Sequence, residues 1–155
     1  MAYQRSLRAR LDAPIAVLEV PRFGLEVPVL PKDDDLSLDR AVSHVRGTAL
    51  PGHGGNVAIA GHRDGHFRPL GRARKGDLLR LVWPDGARTY RVAETMVLDP
   101  SDVRVLAPTD RDALTLVTCF PFHYVGNAPK RFVVRAYAEG TPGRAARQQA
   151  SAARR

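Results

Sequence analysis

A chain of 155 residues with 44% hydrophobic and 26% charged residues has the composition of one globular domain with a real core, which excludes a low-complexity or disordered chain. Its single cysteine excludes an internal disulfide. Of the formal net charge of +8, residues 1–13 carry +2 and residues 139–155 carry +3, and the 6% of aromatic residues do not interleave with basic ones, so no nucleic-acid partner is expected.

The first 13 residues form a basic polar segment, Met1-Ala2-Tyr3-Gln4-Arg5 onward, without the apolar stretch of a signal peptide. Ile15–Val20 and Leu25–Leu30 read as strands broken by the turn-like spacer Pro21-Arg22-Phe23-Gly24. Asp33–Val42 reads as a short helix with acidic residues at its start. Gly47–Gly55 is a Gly- and Pro-rich loop, and Asn56–Ala60 is a strand. Phe67–Leu70 is a helical turn limited by Pro69. Asp77–Trp83 and Arg88–Leu98 form a hairpin about Pro84-Asp85-Gly86-Ala87. Asp99–Leu106 reads as another helical turn, and Leu114–Thr118 and Arg131–Ala138 are the last strands. Residues 139–155 are a basic, disordered tail, so residues 14–138 hold the folded domain. Many short strands with few helices point to an all-β closed antiparallel barrel or sandwich.

Three residues carry candidate chemistry. Cys119 ends the run Leu114-Thr115-Leu116-Val117-Thr118, His62 ends Asn56-Val57-Ala58-Ile59-Ala60-Gly61, and Arg131 opens Arg131-Phe132-Val133-Val134-Arg135. A thiol, an imidazole and a guanidinium at strand ends are the parts of a cysteine-nucleophile site: nucleophile, proton carrier and oxyanion stabiliser. A free cysteine is also a common small core residue. His44, His53, His66 and His123 compete with His62, and Arg135 shares a strand face with Arg131; the bare residues do not rank them. His53, His62, His66 and Asp64 match no zinc spacing, and an acidic helix start accounts for Asp33, Asp34 and Asp35 better than calcium does, so no metal and no cofactor are expected.

The three segments together resemble the sortase family. Thr115-Leu116-Val117-Thr118-Cys119 is similar to its Thr-Leu-x-Thr-Cys motif, Ala60-Gly61-His62 to its histidine motif, and Arg131-Phe132-Val133-Val134 to its arginine strand. Cys119–Phe132, Val20-Pro21-Arg22-Phe23-Gly24-Leu25 and Asp99-Pro100-Ser101-Asp102 resemble the class D branch. The resemblance runs in order over roughly residues 14–138, with Phe120 where class D members often have Tyr.

That resemblance implies a closed eight-stranded β-barrel with short helical turns in its connections. It implies a cysteine transpeptidase with Cys119 as nucleophile, His62 as general acid/base and Arg131 as oxyanion or substrate stabiliser. Thr118, Phe120, His123 and Tyr124 would help shape a peptide groove. The implied reaction cleaves a Leu-Pro-x-Thr-Gly-like sorting signal after Thr and passes the acyl group to an amine. Its implied partners are sorting-signal-bearing surface or pilin proteins, and an amine acceptor on a cell-wall precursor or a pilin lysine. The implied location is the outer face of a bacterial cell membrane, held by an anchor ahead of residues 1–13. A hydrolase with water as acceptor and a catalytically idle peptide-binding barrel are the alternatives.

Overall fold

The computed structural model describes residues 13–32, 41–62, 65–119 and 130–140, with Cys119 described by its backbone. Eight strands run through the described residues: β1 (Ala16–Val20), β2 (Leu25–Leu30), β3 (Val42–His44), β4 (Asn56–His62), β5 (Leu78–Trp83), β6 (Gly86–Leu98), β7 (Ala113–Cys119) and β8 (Arg131–Ala138). They close into a barrel in the order β1-β2-β3-β4-β7-β8-β6-β5. The expected all-β, eight-stranded barrel is therefore what the chain forms.

The sheet is not wholly antiparallel. β2 pairs parallel with β3, and β4 pairs parallel with β7 over seven positions, from Asn56↔Ala113 to His62↔Cys119. Six of the seven β4 residues are buried, so both pleat faces are covered. That explains why Asn56-Val57-Ala58-Ile59-Ala60 reads as a continuous small and apolar run rather than an alternation. β1 lies at the other extreme, with alternating burial along Ala16–Val20.

Leu18, Val27, Val29, Val57, Ile59, Leu79, Leu81, Leu114, Leu116, Val134 and Ala136 fill the barrel, with Phe67 and Leu70 packed in beside them. An eight-stranded barrel has an interior just wide enough for side chains, so this is a core and not a channel. Burying each such aliphatic side chain contributes about 1.5–3 kcal/mol.

The connections follow from local chemistry. Pro21–Phe23 forms one 3-10 turn, ended by Gly24 at φ 64° with its N–H bonded to the Pro21 carbonyl at 3.0 Å. Pro84-Asp85 closes the β5–β6 hairpin, as the turn signal predicts. Phe67–Leu70 was expected as a helical turn and is found as a 3-10 turn at Arg68–Arg72. The helical turn expected over Asp99–Leu106 shortens to Arg104–Leu106. The helix expected over Asp33–Val42 lies almost wholly outside the described residues, but its last residue, Val42, opens strand β3 instead. Three residues are too short to show a period, so this strand leaves no pattern in the sequence.

Candidate functional site

β4, β7 and β8 lie side by side, and the core uses Val57, Ile59, Leu114, Leu116, Val134 and Ala136 from their inner face. The two-residue period assigns the outer face to Asn56, Ala58, Ala60 and His62 on β4; Thr115, Val117 and Cys119 on β7; and Arg131, Val133 and Arg135 on β8. All three candidate residues hold positions on that one face, at one end of it.

The register brings them level. His62 pairs with Cys119 at the last step of the β4–β7 ladder. The β7–β8 ladder runs from Ala113↔Tyr137 to Val117↔Val133, and the same register carried on for two residues would set Cys119 across from Arg131. Adjacent strands lie about 4.8 Å apart, so Cys119 stands between His62 and Arg131 at neighbour distance along the sheet. Arg131 is fixed from its other side by Leu98 of β6. Ala58, Ala60, Val117 and Val133, next along the same face, are buried.

Gly61 explains why a glycine precedes His62. A Cβ at Gly61 would lie 2.7 Å from Phe67 Cδ2 and 2.9 Å from Val42 Cγ1. β4 therefore passes over the Phe67 ring only because residue 61 has no side chain, and His62 takes its position from that passage.

Thr118 is buried, and its hydroxyl accepts from the Phe132 N–H at 3.0 Å and donates to the Phe132 carbonyl at 3.1 Å. It joins β7 to β8 at the level of Cys119 and Arg131. Phe120, His123 and Tyr124, also expected at the groove, lie outside the described residues, as do Asp33, Asp34, Asp35 and Asp64.

The other described histidines are placed differently. His44 is buried on β3, with Nε2 at 2.9 Å from the Ala49 carbonyl and 3.1 Å from Thr48 Oγ1, so it holds its own loop. His53 is exposed before the start of β4, so the length of that strand, about 20 Å, separates it from His62. His66 is exposed in the turn beyond His62.

Sequence reasoning missed a buried polar network on the same outer face. Thr115 Oγ1 donates to Asn56 Oδ1 at 2.7 Å, and Asn56 Nδ2 donates to the carbonyls of Val105 and Ala107 at 2.8 and 3.0 Å. Arg135 Nε donates to Thr115 Oγ1 at 2.9 Å, and another of its nitrogens to the Val105 carbonyl at 2.8 Å. The signal available was polar residues, Asn56, Thr115 and Arg135, inside otherwise apolar strands.

The family model described as the sortase domain matches residues 18–139. Sortase D of Bacillus subtilis (strain 168) is 37% identical over 119 residues, which cover 76% of this chain and 60% of that relative. Among solved structures, a sortase D5 transpeptidase of Clostridium perfringens matches with a TM-score of 0.74 and 25% identity, over 90% of this chain and 88% of its own. Sortase C-1 of Actinomyces oris matches with a TM-score of 0.74 and 26% identity, over 90% of this chain and 82% of its own. The chain thus spans about three fifths of the length of the curated relative it matches at 37%.

Proposed function

We propose, since the chain belongs to the sortase family, that it is a class D sortase-type cysteine transpeptidase with Cys119, His62 and Arg131 as its reacting groups. The observation that carries this reading is the strand register that levels the three residues on one sheet face. The substrate is an extended peptide bearing a Leu-Pro-x-Thr-Gly-like sorting signal, whose scissile bond meets the end of the face where His62, Cys119 and Arg131 stand.

The chemistry follows from the roles. The thiolate is the nucleophile, and His62 as imidazolium is both its cationic neighbour and the acid. The Cys119 sulfur attacks the carbonyl carbon of the signal's Thr, and the carbonyl oxygen takes up the negative charge. The guanidinium of Arg131, charged at every working pH, donates to that oxyanion. Collapse breaks the Thr–Gly bond, His62 gives its proton to the departing amine, and a thioester to Cys119 remains. An incoming amine attacks the thioester, His62 takes the amine's proton, and the thiolate leaves as the new amide forms. Thr118 ties β7 to β8 beside Cys119, and Phe120, His123 and Tyr124 are the further residues assigned to peptide binding.

The partners are sorting-signal-bearing surface or pilin proteins and an amine on a cell-wall precursor or pilin lysine. The enzyme works at the outer face of a bacterial membrane. No helix among the described residues is long and apolar enough to cross a membrane.

Product analysis tests the reaction class. With a Leu-Pro-x-Thr-Gly-type peptide and millimolar triglycine, the main product is the peptide's acyl half joined to triglycine. Cleavage that releases only the free acid, unaffected by triglycine, would contradict transpeptidation and point to a hydrolase.

A further inference from the structure

Arg135 is the charged group that the reaction above does not use. It lies on the outer face of β8, two face positions from Arg131, and is 9% exposed. Burying a guanidinium costs several kcal/mol unless its charge and donors are met. Its cross-strand neighbour Glu94 is exposed. The hydrogen bonds of Arg135 go instead to neutral oxygens, the Thr115 hydroxyl and the Val105 carbonyl.

Both oxygens belong to one network that grips one segment. Asn56 from β4, Thr115 from β7 and Arg135 from β8 together hold the carbonyls of Val105 and Ala107. Those carbonyls lie on the connection from Leu98 of β6 to Ala113 of β7. The connection leaves the sheet at Leu98, directly across from Arg131, and its first residue, Asp99, is ion-paired with Lys130. It is thus tied at the level of the three reacting residues and again at the level of Thr115. Thr115 lies four residues, about 13 Å, along β7 from Cys119. Between the ties, the Asp102 carboxylate accepts from the N–H and Nε of Arg104, both at 3.1 Å, which closes the intervening turn. The segment therefore runs as a braced wall beside the face at whose end the peptide would meet Cys119.

We propose that Arg135, with Thr115 and Asn56, is a positioning residue that fixes this wall, so that an extended peptide meets a preformed groove rather than one it must order. This rests on the peptide-processing role proposed above. Ordering a loop on binding subtracts from affinity, so the clamp acts on KM and leaves the reacting groups untouched.

Two readouts on the folded enzyme test it, with wild type, Arg135→Met, Arg135→Lys and Thr115→Val compared. The first is hydrogen exchange at the amides of Asp102, Leu106 and Ala107, which bond within the segment to Asp99, Val103 and Arg104. The second is kcat and KM for a fluorogenic Leu-Pro-x-Thr-Gly-type peptide. Arg135→Met should speed exchange at these amides at least tenfold while the β1–β2 amides stay protected. It should raise KM about tenfold, with kcat within threefold of wild type. Arg135→Lys, which reaches one oxygen but not both, should fall between. If Arg135→Met does not fold, Thr115→Val carries the same expectation. Unchanged exchange at these amides would overturn the clamp. A fall in kcat at constant KM would also overturn it, by making Arg135 part of the chemistry. If wild type does not process the peptide, the proposed function fails, while the exchange readout still decides whether the clamp exists.

Discussion

At the scale of single residues, Gly61 makes the sharpest demand. Its missing Cβ lets β4 cross the buried Phe67 ring and deliver His62 level with Cys119. Gly61→Ala forces a contact under 3 Å, and overpacking of this kind costs about 1–3 kcal/mol. Urea denaturation should show that loss, and Phe67→Leu in the same chain should shrink it by making room. Equal costs in both backgrounds would mean that Phe67 is not what Gly61 accommodates. The sequence singled out Cys119, His62 and Arg131 as candidates because each ends or opens an apolar run, and the strands place His62 beside Cys119. Their ranking over His123 and Arg135 came from the motif resemblance. Arg135 shows why the bare pattern stops short: two arginines at i and i+4 share a strand face, and only the hydrogen bonds to Thr115 and Val105 separate a buried clamp from the half-buried Arg131.

Among the elements, strands with clear runs and turns with Pro or Gly were readable, and the hairpin about Pro84-Asp85 is a direct case. β3 was not readable. It is three residues long, and its pairing with β2 and β4 is a tertiary fact. The parallel pairing of β4 with β7 was equally hidden, because strands 50 residues apart carry no local sign of being neighbours. Asp112, just before β7, shows what joins the elements at the far end of that pair. It ion-pairs with Arg88 of β6, whose side chain is 9% exposed, and accepts the Gly55 N–H at 2.8 Å. Asp112→Ala leaves a near-buried guanidinium unpaired and an amide uncapped, at an expected cost of about 2–4 kcal/mol. Asp112→Asn, which keeps an acceptor for Gly55, should lose less. A change below about 1 kcal/mol for Asp112→Ala in chemical denaturation would show that the β6–β7 end is held elsewhere.

For the molecule as a whole, barrel closure removes the sheet edges and leaves a core built on side chains such as Tyr90, which is 3% exposed. Burial, partly offset by Arg88 and reinforced by Asp112, pushes the Tyr90 phenol up to about 12. A group whose folded pKa is raised contributes stability that is complete below its unfolded value, near 10, and is lost as pH rises through the folded value. Unfolding free energy should therefore fall by about 2–3 kcal/mol between pH 10 and 12 through this group, and Tyr90→Phe should remove that part of the slope. An unchanged alkaline slope in Tyr90→Phe would place the sensitive group elsewhere. The same barrel sets β4, β7 and β8 side by side, and the proposed function requires that Cys119 becomes acylated. Intact-mass spectrometry after incubation with a Leu-Pro-x-Thr-Gly-type peptide tests it most directly. The predicted result is a mass gain equal to the peptide cleaved after Thr, present in wild type and absent in Cys119→Ala; the same adduct in Cys119→Ala, or no adduct from wild type across a library of such signals, would contradict it.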